Sequence, residues 1–151
     1  MQHPNWRTEN LARIREARGD LAGAERLYRE ELETYADNGR ARFNLAQLHR
    51  AGGDRDRYLT GLRDCVSKAP EFGACYFYLA REELGAARLD QAADLAKRGL
   101  EVQPGSDVAP LGHYVLADVY NRRGQGKQAQ EEVAKAQRLE VALKKSPAPR
   151  L

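Results

Sequence analysis

Apolar residues recur along this chain at helical rather than strand spacing. His113, Leu116, Ala117 and Tyr120 fall on one helical stripe, and Ala129, Val133 and Ala136 fall on one stripe of the segment that follows. Leu89, Ala92, Ala93, Ala96 and Leu100 form a similar stripe upstream. Intervals of three and four residues mark amphipathic helices. Glycines at 19, 52, 53, 124 and 126 punctuate the pattern where turns need a positive φ. Pro70 and Pro104 end helices because proline has no N–H to donate. The pattern predicts first helices over 5–17, 39–51, 73–85 and 108–122, and second helices over 22–36, 55–69, 89–102 and 126–143. Ser106 or Asp107 is expected to cap the fourth of the first helices, with Pro110 in its first turn.

The stripes themselves repeat. Leu-Ala stands at Leu11-Ala12, Leu45-Ala46, Leu79-Ala80 and Leu116-Ala117, in steps of 34, 34 and 37 residues. Gly19-Asp20, Gly53-Asp54 and Gly124-Gln125 follow in register, and Ala87 replaces the glycine in the third unit. Pro70 and Pro104 are also 34 residues apart. A fixed period of this length marks stacked helical hairpins. Numbered within a 34-residue unit, position 8 is always small (Ala12, Ala46, Ala80, Ala117), and so are Ala24, Ala92 and Ala129 at position 20. Cys65, Gly99 and Ala136, small as well, stand at position 27 of the last three units.

These residues resemble the tetratricopeptide repeat, a helix-turn-helix unit of 34 residues. The resemblance covers units 5–38, 39–72, 73–106 and 110–143 within a domain spanning 1–143. Residues 144–151 are expected to form a flexible basic tail. Departures include Tyr58 at position 20 of the second unit and Glu31 at position 27 of the first. The resemblance implies an all-α fold, a right-handed superhelical α-solenoid of four hairpins. One hairpin cannot bury its apolar face alone, so stacking supplies the core. The polar second helix of the last unit, with Gln128, Gln130, Glu131, Glu132 and Lys135, suits a solvent-facing cap. Nothing comparable precedes Trp6, so that face is expected to dock further chain or a second copy.

The resemblance further implies a concave groove lined by the first helices. Carried over by position, the candidate ligand-binding residues are Asn10, Arg13, Phe43, Asn44, Gln47, Tyr78, Arg81, Tyr114 and Asp118. Asn10 and Asn44 lie one period apart and are expected to stack as a short ladder, since an amide both donates and accepts hydrogen bonds from a peptide backbone. Phe43, Phe77, Tyr78 and Tyr114 make an aromatic stretch beside Arg13, Arg40, Arg50 and Arg81, the residue types that dominate binding hot spots. The alternative for Phe77 is packing between helices. Some family members clamp a chaperone's C-terminal carboxylate with Lys and Asn. Only Asn44 survives of that pattern, which argues against such a receptor.

Composition narrows the function. The chain has 151 residues, 25 basic against 22 acidic, and 42% hydrophobic residues, the profile of a folded domain. Arg40, Arg42, Arg50, Arg55, Arg57 and Arg63 are interrupted by Asp54, Asp56 and Asp64, so nucleic-acid binding is disfavoured. No phosphate loop, HExxH or GxSxG motif is present, and His3, His49 and His113 are scattered. No enzymatic activity, metal or cofactor is expected. Cys65 and Cys75 are expected to be two buried unpaired thiols, the alternative being a disulfide formed in an oxidising compartment. No stretch is long and apolar enough to span a bilayer, and the cytoplasm is slightly favoured. The expected partner is another protein or peptide segment, acidic in one version. The rival expectation is a docking or self-association appendage of a larger bacterial protein, including a homodimer through an exposed terminal helix face.

Overall fold

A computed structural model describes residues 6–145, which are helical and contain no strand. The chain divides into two compact units, residues 1–75 and 76–151. The first holds two hairpins: α1 (Trp6–Ala17) with α2 (Leu21–Thr34), and α3 (Gly39–Ala51) with α4 (Arg55–Lys68). The division falls within α5 (Gly73–Gly85); α6 (Leu89–Val102), α7 (Ala109–Arg122) and α8 (Gly126–Lys145) complete the second. Every helix boundary lies within two residues of the expected one. Lys144 and Lys145 continue α8 rather than starting a flexible tail, while 146–151 lie outside the described residues.

In the first unit the repeated Gly-Asp pair does two jobs. Gly19 and Gly53 both adopt φ +79°, which an L side chain resists. The following aspartates then accept the orphan N–H groups of the next helix, Asp20 from Gly23 at 2.9 Å and Asp54 from Arg57 at 3.1 Å. Asn38 caps α3 through Ala41 N–H at 3.2 Å and donates to Glu31 Oε2 at 3.0 Å. That bond explains how Glu31, 3% exposed, occupies a position that favours small residues: its buried carboxylate has a polar partner. Ala12, Ala24, Tyr28, Ala41 and Leu48 form one core cluster. Tyr28 is fully buried and donates to Glu16 at 3.3 Å; burial, and then Glu16, push its phenol well above the ordinary range.

Cys65 and Cys75 are joined in a disulfide, which corrects the expectation of free thiols. The helix end at Ala69 and restart at Gly73 bring their Cα atoms to 6.1 Å, within the range a disulfide spans.

The second unit is organised around Phe77, which is fully buried. A Cβ built on Gly99 would lie 2.6 Å from Phe77 Cε1, and one on Gly112 would lie 2.7 Å from the same ring. Only glycine admits the ring between α6 and α7. Ala80, Leu84, Ala92, Ala93, Ala96, Val115, Leu116 and Val119 form the adjoining aliphatic cluster. His113 Nδ1 meets Glu132 Oε2 at 2.6 Å and ties α7 to α8. Two local expectations fail. Ser106 is not the cap of α7: its Oγ accepts Val108 N–H at 3.3 Å, and Val108 is the capping residue without a side-chain bond. Asp107 is likewise one position too early, whereas Pro110 does stand in the first turn. The hairpin turn at Ala87 takes φ +60° without glycine.

Candidate functional site

The candidate residues lie on first helices of both units. In the first, α1 and α3 leave Asn10 and Asn44 half-buried and Arg13 exposed. No hydrogen bond joins the two amides. Phe43 is half-buried and meets Phe72 with ring centroids 6.2 Å apart and planes tilted by 52°. Gln47 is half-buried, and its Nε2 is sealed from solvent with no hydrogen-bond partner. Around them Arg40 reaches Glu9 at 3.6 Å, and Arg50 lies 5.9 Å from the Tyr58 ring centroid. Burial raises the Glu9 carboxyl above its usual value, opposed by Arg40 and Arg13.

In the second unit Tyr78 and Arg81 sit one helical turn apart on α5. The guanidinium lies over the Tyr78 ring at 4.8 Å from its centroid, a cation–π contact. Arg81 Nη2 is sealed from solvent and donates to no partner. Tyr114 is 38% exposed and donates its hydroxyl to Glu140 of α8, a bond that holds the phenol above its ordinary value. Asp118 is engaged by Arg122 of its own helix at 3.0 and 3.3 Å, so its carboxylate already has a cation.

Phe77, placed in the aromatic stretch with packing between helices as its alternative, takes the alternative and is fully buried. Of the aromatic stretch, Tyr114 is the most exposed, with Phe43 and Tyr78 half-covered.

Reasoning from the first helices missed the end of α8. Glu140, Leu143 and Lys144 join Tyr78, Arg81 and Leu111 around a cavity of about 410 Å³, with Asp107, Val108 and Pro110 completing its wall. The signal was present: Ala136, Leu139 and Leu143 carry the helical stripe to the last residue of the fourth unit. Chemically these faces offer amide and guanidinium donors, carboxylate acceptors and aromatic surface. Among the described residues, no group of His, Cys, Asp and Glu side chains is placed to hold a metal ion, and no helix is long and apolar enough to cross a membrane.

Four antiparallel helical hairpins with small residues at their crossings define a helical-repeat protein. The tetratricopeptide-repeat model matches residues 6–30 and 110–135, so the chain carries tetratricopeptide repeats. Among solved structures, one of MamA superposes with a TM-score of 0.64 at 19% identity, covering 86% of this chain and 74% of that one. MamA 41-end from Desulfovibrio magneticus RS-1 gives 0.61 at 18%, covering 89% and 75%. BtubC from P. vanneervenii gives 0.64 at 18%, covering 100% and 70%. At these identities the likeness is one of fold. No curated protein matches the chain in sequence.

Proposed function

We propose that this chain is a protein-interaction scaffold that binds a peptide or helix of a partner along the accessible faces of its first helices. The observation that carries the reading is the pair of sealed, unpartnered donors, Gln47 Nε2 and Arg81 Nη2, at the same repeat position in the two units. A buried donor without an acceptor costs about 1–3 kcal/mol, and a bound backbone or side chain relieves that cost. Asn10 and Asn44 add amides suited to a peptide backbone, and Phe43, Tyr78 and Tyr114 add the aromatic area that anchors peptides. The domain is read as residues 1–143, with its four units as delimited above. Random peptides displayed as internal segments test this: selected binders should show affinities of roughly micromolar class. The Asn10→Ala/Asn44→Ala double variant should weaken them about tenfold, or ~1.4 kcal/mol, at unchanged helix content. Equal binding by that variant removes the asparagines from the site.

A second reading rests on a separate observation. Leu11, Ile14 and Leu21 are 46%, 47% and 40% exposed on the first hairpin, an apolar face fit to dock another polypeptide or a second copy. Light scattering over a concentration series tests self-association, and Leu11→Lys with Ile14→Lys should abolish any dimer. The Cys65–Cys75 pair fits a compartment where disulfides persist better than the cytoplasm.

A further inference from the structure

We propose that the cavity between α5, α7 and the end of α8 is an anchor pocket for one acidic side chain within an extended partner peptide, with Arg81 as the residue that receives the carboxylate. The inference rests on the peptide-binding reading and adds what that peptide must contain.

Arg81 is held in place before any ligand arrives. Its guanidinium is laid on the Tyr78 ring at 4.8 Å, which fixes the plane and leaves the edge to bond. Its Nη2 is sealed from solvent yet bonds to nothing. Asp107 and Glu140 line the same cavity, but neither comes within ion-pair distance of Arg81. Arg81 therefore has no ion-pair partner of its own in the cavity. A carboxylate is the acceptor a guanidinium edge matches best, through paired charge-assisted bonds.

The rest of the wall sets what surrounds that carboxylate. Val108, Pro110, Leu111 and Leu143 are apolar and suit an aliphatic neighbour in the peptide. Lys144 lies at the exposed end of α8 and adds a second positive charge. Asp107 and Glu140 are acceptors, and Glu140 already takes the Tyr114 hydroxyl. Carboxylates on the wall repel a second acid but accept peptide N–H groups. An acidic residue inside a chain brings N–H groups on both sides of itself. A C-terminal residue has none after it, so the internal acid is the better match. The volume, about 410 Å³, is of the size that small-ligand sites use.

The test uses the full chain and two random dodecapeptide libraries, one displayed as internal segments and one with free C-termini. Wild type should select internal peptides carrying Asp or Glu at one fixed place beside an apolar residue. Changing that acid to its amide should weaken wild-type binding at least tenfold and binding to Arg81→Gln less than twofold. Lys144→Gln should show a smaller loss, because Lys144 is exposed. Circular dichroism of Arg81→Gln should match wild type; if that variant is misfolded, the Lys144→Gln series and the acid-to-amide comparison in wild type decide alone. Internal binders without acidic preference overturn the pocket and leave the peptide-binding reading standing. Binders drawn only from the free C-terminal library overturn it in favour of a terminal carboxylate. No binders from either library overturn both.

Discussion

In the first unit α2, α3 and α4 begin on Asp20, Asn38 and Asp54, each accepting a backbone N–H from the helix it starts. In the second, α6 and α7 begin on Arg88 and Val108, and neither side chain caps. The turns differ at one place: glycine takes the left-handed position before α2, α4 and α8, whereas Ala87 takes it before α6. The cores differ the other way. The first unit's cluster is mostly alanine around Tyr28, and a disulfide fastens α4 to the start of α5. The second packs Phe77 into two glycine notches beside a wider aliphatic cluster. Both units bury large side chains, Tyr28, Tyr58 and Leu62 in the first and Phe77 in the second; what sets the first apart is its capped helix ends and its covalent tie.

The largest effect should come from removing burial where it dominates. Phe77→Ala should destabilise by about 3–5 kcal/mol, because Gly99 and Gly112 have no side chains to fill the hole. Leu116→Ala, 3% exposed in the adjoining cluster, should cost about 2–5 kcal/mol. Urea unfolding measures both. A loss below 1 kcal/mol for Phe77→Ala would mean that the buried ring does not hold the second unit together.

Next in size is the covalent tie. Closing a loop of ten residues stabilises by about 3 kcal/mol in the chain-entropy account. Reduction, or Cys65→Ser with Cys75→Ser, should remove about that amount. Thiol titration of the unreduced, denatured protein should find no free thiol. Two free thiols would return the first unit to the state its sequence favours.

That bond was among the things the sequence hid. Period and punctuation located all eight helices because glycine and proline act through their own backbone geometry. Pairing of Cys65 with Cys75 depends on how α4 ends and α5 starts, and a separation of ten carries no pairing signal. The candidate site divided for a similar reason. Phe77 and Tyr78 are adjacent aromatics, and helical phase alone puts both near the boundary of the accessible face. The glycines at 99 and 112 decide that Phe77 goes inward. Glu140, Leu143 and Lys144 were read as repeat end and tail, since the family's unit stops before α8 does.

The caps and turns give smaller effects of opposite sign. Asp54→Ala should cost about 1 kcal/mol by releasing the Arg57 N–H. Ala87→Gly should gain roughly 1 kcal/mol, since the left-handed conformation at φ +60° costs an L residue about that much. The same exchange in the first unit, Gly53→Ala, should lose a comparable amount. Asp20 adds a pH signature. Its carboxyl is held below the usual value by the Arg15 hydrogen bond and then by Gly23 N–H. Its contribution is therefore present above the unfolded carboxylate range, near pH 4, and is lost as the pH falls through the lower folded value. Asp20→Asn keeps the cap acceptor and should flatten that part of the acid limb.

The smallest stability effect is the most telling about the repeat. Leu11 and Leu116 occupy the same repeat position, as do Ile14 and Val119. Leu116 and Val119 are 3% and 0% exposed because α6 packs over them; Leu11 and Ile14 are 46% and 47% exposed. Both pairs are aliphatic, and Leu11 and Leu116 are identical, so cover makes the difference. Leu11→Ala should then change the stability of the dilute chain by less than about 0.5 kcal/mol, as exposed substitutions do. Urea midpoints of Leu11→Ala and wild type at low and high protein concentration check this. If the face docks a second copy, the gap between the two proteins should widen with concentration, because association adds stability by mass action. A gap that is large already in dilute solution would mean that α1 is covered within its own chain, and that the contrast with α7 is false.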